Sequence, residues 1–86
     1  MSPVINSTLV KYPNLVIGKD GCAYCDRARE LLDINFVDYV YLRNTDDPKL
    51  AELVKVEFEH STYPHIFLNM KFVGGYTEAR SMFSSY

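Results

Sequence analysis

Tryptophan is absent from this sequence, cysteine occurs only twice, and glycine and proline occur four times each. So little Gly and Pro excludes collagen-like repeats and low-complexity linkers. Two cysteines, Cys22 and Cys25, are too few for the disulfide framework of a small secreted domain, which usually has about four to eight at dispersed positions. No run of Lys or Arg makes a basic stripe, and a net charge of −2 with a pI near 5.5 offers phosphate backbones nothing to bind. Nucleic acid is not an expected partner. No stretch approaches the roughly 20 apolar residues of a membrane span, and Met1 to Gly18 shows neither the basic start nor the apolar core of a secretory signal. The expectation is a chain without a membrane partner, working in the reducing cytoplasm.

What is present suffices for one core. The 86 residues are 48% hydrophobic and 23% charged, enough to fold as a single small domain and too few for two. Leu15-Val16-Ile17 ends at Gly18, and Lys19-Asp20-Gly21 reads as a turn, so a short buried strand feeds a loop. Tyr24, Ala28, Leu31 and Leu32 then recur at helical spacing between charged residues, which predicts an amphipathic helix beginning at the cysteines. Phe36 to Leu42 is rich in β-branched and aromatic residues and predicts a second strand, parallel to the first. Asp47 before Pro48 signals a helix start, with Leu50, Leu53 and Val54 inward and an end near Phe58. His65–Leu68 and Lys71–Val73 read as a hairpin turning at Asn69-Met70, although Met suits its second corner poorly. After Gly74-Gly75, Thr77 is the expected cap of a last helix with Ala79, Met82 and Phe83 inward. Residues 1–13 show no clear period and read as an extension, with a turn of helix as an open alternative.

The chemistry concentrates at Cys22-Ala23-Tyr24-Cys25, where a strand turns into a helix. Unpaired N–H groups at a helix start amount to about half a positive charge and favour a thiolate. A free thiol of pKa ~8.5 is a few per cent ionised at neutral pH, whereas CxxC thiols at helix starts reach ~3.5–7. Lys19 pushes Cys22 the same way and Asp20 opposes it. Cys25 lies one turn further in, more covered, and is the resolving thiol. A disulfide closing so short a loop adds only about 2 kcal/mol in the chain-entropy model, so stability is a poor reason for the pair. Zinc is the rival reading, since His60 and His65 complete a Cys2His2 set. The 34 residues at positions 26 to 59 disfavour it, being far more than a zinc finger's connection and able to build a core without metal.

The run from Gly18 to Cys25, then Thr62-Tyr63-Pro64, then Gly74-Gly75-Tyr76-Thr77-Glu78 resembles a dithiol glutaredoxin of the thioredoxin superfamily. Thioredoxin itself fits less well, because it typically has Trp before its first Cys and Gly-Pro between the two. The resemblance implies an α/β, thioredoxin-like fold, a mixed four-stranded sheet flanked by three helices, with residues 14–86 as the domain and 1–13 as an N-terminal extension. It implies a cis Pro64 facing the cysteines, and glutathione-dependent reduction of protein disulfides and glutathione mixed disulfides by Cys22 and Cys25. It also implies a glutathione site in which Lys19 meets the glycine carboxylate and Tyr24 flanks the tripeptide. Thr62, Tyr63 and Pro64 would border it, with the Tyr63 backbone open to pair with an extended thiol peptide. Gly75, Tyr76 and Thr77 would lead into the helix start that takes the γ-glutamyl carboxylate, and Glu78, often Asp in relatives, would answer the ammonium. Glutathione is then a co-substrate, with no metal and no tightly bound cofactor. Ala23, replacing the Pro common between the cysteines, raises the option of a [2Fe–2S] cluster, which some relatives without that Pro hold across a dimer. Disulfide-containing proteins, ribonucleotide reductase among them, are the implied partners of a monomer. His65 reads as a strand histidine with a local hydrogen bond. Two other classes compete: a thioredoxin-like donor reduced by thioredoxin reductase, and a non-catalytic interaction module with an idle CxxC.

Overall fold

The computed structural model describes residues 2–84; Met1, Ser85 and Tyr86, which fall within the expected extension and domain, lie outside the described residues. Its elements are α1 (Pro3–Lys11), β1 (Leu15–Gly18), α2 (Ala23–Ile34), β2 (Val40–Arg43), α3 (Pro48–Glu57), β3 (His65–Leu68), β4 (Lys71–Gly74) and α4 (Tyr76–Phe83). The strands form one mixed sheet in the order β2-β1-β3-β4, with β1 parallel to β2 and the β1–β3 and β3–β4 pairs antiparallel. Successive side chains of a strand point to opposite faces, and the core divides accordingly. Leu15, Ile17 and Phe67 pack with Ile5 and Leu9 of α1 and with Leu50, Ala51 and Val54 of α3. Val16 and Ile66 pack with Ala28 and Leu32 of α2 and Ala79 of α4. The result is a thioredoxin-like sandwich: α1 and α3 on one face, α2 and α4 on the other.

Among the described residues four helices flank the sheet rather than the expected three, because the segment before β1 is helical. Ser2 caps α1, its Oγ accepting from the Val4 and Ile5 N–H groups at 3.2 and 3.5 Å, and Pro3 takes the first helical position, where its missing N–H costs nothing. Ile5 and Leu9, at i and i+4, are fully buried in the core. Residues 3–11 are therefore built into the domain rather than appended to it.

The second strand is shorter than its composition suggests. Phe36 stands one residue past the Asn35 cap of α2 with φ +58, the left-handed geometry usual where a helix ends. Its N–H donates to the Asp33 carbonyl and that of Val37 to the Leu32 carbonyl, which closes the helix and leaves the Phe36 ring 95% exposed. Pairing starts only at Val40. The hairpin turns at Asn69-Met70 as expected, both with positive φ (+52 and +68). Met70 is tolerated because the tip is tied to the entry of β1: its N–H donates to the Pro13 carbonyl at 2.8 Å and that of Asn69 to Asn14 Oδ1 at 2.9 Å. In α4 the expected cap moves from Thr77 to Gly75, and Met82 is 54% exposed instead of inward, while Ala79 and Phe83 do pack on the core. In α2 the buried stripe runs Cys25, Ala28, Leu32, so Tyr24, counted among the inward positions, lies outside it.

Candidate active site

Gly21, at φ +67, turns the chain off β1 into α2 at a point where a side chain would be strained. Cys22 then occupies the N-cap of α2, in extended conformation, and its Sγ accepts from the Cys25 N–H at 3.1 Å. The two cysteines are joined as a disulfide with their Cα atoms 5.2 Å apart. Cys22 is partly exposed and Cys25 is fully buried, the asymmetry required of an attacking and a resolving sulfur. Once reduced, Cys22 would keep its amide donor and the positive end of α2, both of which favour the thiolate. The Tyr63 carbonyl oxygen, 3.9 Å from Cys22 Sγ, is placed to accept from a thiol and opposes them weakly. Asp20 opposes less than its position in the chain suggests, because it pairs with Arg43 at 3.5 Å.

The Tyr63–Pro64 peptide is cis and sets Tyr63 against the Cys22 sulfur. From there a groove of about 390 Å³ runs to the start of α4. Tyr24, Thr62, Tyr63 and Pro64 line one part of it, and Gly75, Tyr76, Thr77 and Glu78 the other. Eight of the residues singled out from the sequence are thus gathered in one groove next to the sulfur. The Tyr24 and Tyr76 rings stand 6.0 Å apart. Lys19 is exposed and outside the lining, its ammonium 5.8 Å from the centre of the Tyr63 ring. Glu78 reaches back to its own helix start: its Oε1 accepts from the Gly75 N–H at 2.7 Å, giving the carboxylate a capping role. That packing requires the glycine before it. A Cβ on Gly74, whose φ is +124, would meet Glu78 Oε1 at 2.8 Å.

His60 also lines the groove, its Nε2 buried and 3.5 Å from where a Gly75 Cβ would stand. Its H-x4-H spacing suggested a metal ligand instead, and no local signal joins residue 60 to residue 75. Behind it His65 is 0% exposed, stacked on Tyr63 at 4.6 Å and edge-on to His60 at 5.0 Å. The expected local hydrogen bond is at most weak: the Thr62 backbone is close enough to favour the charged ring slightly, but neither ring nitrogen has a partner in good hydrogen-bond geometry among the described residues. Burial chiefly, then the neighbouring His60 and Lys55, pushes its pKa down to about 4, against a weaker pull upward from the Thr62 backbone. Among the described residues no three His, Cys, Asp or Glu side chains gather where they could hold a metal ion, so the Cys2His2 arrangement does not form. A [2Fe–2S] cluster takes four protein or thiol ligands, usually thiolates. One chain offers a single accessible cysteine sulfur, Cys22, so the cluster would need Cys22 of a second chain and two glutathione thiolates to complete its ligands.

A mixed β2-β1-β3-β4 sheet, a CxxC pair at the mouth of a helix and a cis proline opposite it define a thioredoxin-like dithiol domain. The glutaredoxin family model matches residues 11–73. This chain belongs to the glutaredoxin family. It is 37% identical over 59 residues to glutaredoxin 1 of Rickettsia bellii (strain RML369-C), a stretch covering 64% of this chain and 60% of that relative, so less than two thirds of the relative's length is spanned. The solution structure of a dithiolic glutaredoxin from Trypanosoma brucei brucei superposes with a TM-score of 0.79 at 26% identity, over 94% of this chain and 87% of that one. A buckwheat glutaredoxin solved as its glutathione complex shares the fold, with a TM-score of 0.77 at 23% identity over 92% of this chain and 71% of that one.

Proposed function

We propose that this chain is a glutathione-dependent thiol–disulfide oxidoreductase. The observation that carries the reading is the groove joining the Cys22 side of the Tyr63–Pro64 loop to the start of α4. A tripeptide whose cysteine sulfur meets Cys22 can lie along it, with a carboxylate directed to the N–H groups of the helix start. The buckwheat relative bound to glutathione is consistent with such a ligand.

The chemistry follows from the two sulfurs. The Cys22 thiolate attacks the glutathione sulfur of a protein mixed disulfide, a new S–S bond forms, and the protein sulfur leaves as a thiolate that takes a proton from water. The Cys22–glutathione disulfide then resolves in one of two ways. A second glutathione attacks, giving oxidised glutathione and free Cys22, or Cys25 attacks, releasing glutathione and leaving the Cys22–Cys25 disulfide seen here. Two further glutathiones reduce that disulfide and are themselves oxidised. Glutathione supplies every electron.

Replacing each cysteine separates the steps. Cys22→Ser is expected to abolish turnover of all substrates in a glutathione-coupled assay. Cys25→Ser is expected to keep deglutathionylation and lose reduction that needs both thiols. Activity retained in Cys22→Ser would defeat the assignment. Comparing glutathione with thioredoxin reductase as electron donor decides against the closest rival. On the resemblance alone, disulfide-bearing proteins such as ribonucleotide reductase are proposed as partners; the cytoplasm is proposed as the compartment from the sparse cysteines.

A further inference from the structure

A second groove, of about 410 Å³, lies between α2 and α4 and is lined by Arg27, Glu30, Leu31, Ile34, Tyr76 and Arg80. Arg27, Leu31 and Ile34 recur at i, i+4 and i+7 on one face of α2, and Tyr76 and Arg80 at i and i+4 on α4. Its floor is partly apolar, with Leu31 half-buried and Ile34 exposed. Its cations are two exposed guanidiniums, neither ion-paired among the described residues, and its one carboxylate is Glu30. In a chain of net charge −2, this is a local excess of positive charge. Tyr76 lines both grooves, so the second adjoins the glutathione groove at that residue. Arginine and aromatic side chains around an apolar floor are what protein interfaces enrich.

We propose that this groove docks an acidic, extended segment of the protein substrate, flanking the cysteine whose disulfide is exchanged, with Arg27 and Arg80 receiving its carboxylates. The proposal rests on the oxidoreductase reading of the neighbouring site. Length supports a peptide rather than a further part of glutathione. At 1.5 Å per helical residue, Arg27 lies about 8 Å and Ile34 about 18 Å along α2 from Cys22. An extended chain at about 3.3 Å per residue covers those distances in roughly two to five residues. The acidic residues should therefore stand two to five positions from the target cysteine.

The test uses three synthetic peptides, each with one glutathionylated cysteine and with Glu, Gln or Lys at positions two to five from it. A small glutathione mixed disulfide serves as the reference. For the unmodified chain at low ionic strength, kcat/KM is expected to favour the Glu peptide over the Gln peptide by about five- to tenfold, with the preference shrinking as salt is raised. Arg27→Gln/Arg80→Gln is expected to erase that preference while leaving the Gln peptide and the small disulfide within about twofold, the scale of exposed charge effects. Equal rates for the three peptides would overturn the proposal. So would a double variant that slows every substrate alike, since the arginines would then serve glutathione or the fold. If the unmodified chain turns over none of the four substrates, the oxidoreductase reading fails by itself. Titration of the oxidised, 15N-labelled chain with a cysteine-free Glu peptide then decides: shifts at Leu31, Ile34, Tyr76 and Arg80 support docking, and an unchanged spectrum overturns it.

Discussion

Acid should weaken this fold through His65 before the carboxylates matter. The ring is buried, stacked on Tyr63, edge-on to His60 and Phe72 and without a well-formed hydrogen bond at either nitrogen, and its pKa falls from 6.5 to about 4. The unfolded chain binds the proton first, so the stability gained by keeping His65 neutral is complete above pH 6.5 and is lost as pH falls toward 4. At 1.36 kcal/mol per pKa unit the total is about 3 kcal/mol, of which about 2 kcal/mol is gone by pH 5, where most carboxylates are still ionised. A domain of this size holds roughly 4–13 kcal/mol in all, so the loss is a large share. Urea unfolding at pH 7.5 and pH 5, on the unmodified chain and on His65→Asn, isolates it. The unmodified chain should lose about 2 kcal/mol more than the variant between the two pH values. An NMR titration of the His65 ring in the unmodified chain serves as a second readout. Equal losses in the two proteins, or a His65 ring titrating near its ordinary 6.5, would refute the reasoning.

Other consequences are local. Leu9 is fully buried between α1 and α3, so Leu9→Ala should cost about 2–5 kcal/mol by chemical denaturation; a cost below about 0.5 kcal/mol would mean α1 is not part of the core. Gly18 lies under the Tyr41 ring, and a Cβ there would stand 2.6 Å from Tyr41 Cζ. Gly18→Ala should destabilise by about 1–3 kcal/mol and shift the Tyr41 ring resonances, and an unchanged melting temperature would contradict that crowding.

Much of the molecule was legible in the sequence wherever a period and a boundary signal agreed. Leu15–Gly18 closed by a turn, the capped start at Asp47-Pro48 and the hairpin at Asn69-Met70 all formed where read. Misreadings occurred where one signal stood alone. In α1 only Ile5 and Leu9 are buried, and Asn6, Ser7 and Thr8 between them are weak helix formers, so the Ser2-Pro3 start had no visible stripe behind it. Phe36-Val37 looked like strand by composition, but the helix had to end there and spent Phe36 on a left-handed residue. Thr77 seemed the better cap, yet Gly75 serves because Glu78 bonds back to its N–H. At the site, the motifs located Cys22, Cys25 and most of the groove. They missed His60, whose ring packs edge-on against His65 and Phe72, and Arg27 and Arg80, which meet only when α2 lies beside α4.

The most direct test is the pH dependence of Cys22 alkylation by iodoacetamide in the fully reduced chain, with the labelled residue confirmed by mass spectrometry. With its sulfur at the N-cap of α2 and an amide of Cys25 directed at it, the rate should follow a thiolate whose pKa lies well below the ordinary ~8.5, leaving labelling fast near pH 6. A midpoint at or above 8.5 would contradict it, and Cys22 would be an ordinary thiol on a familiar fold.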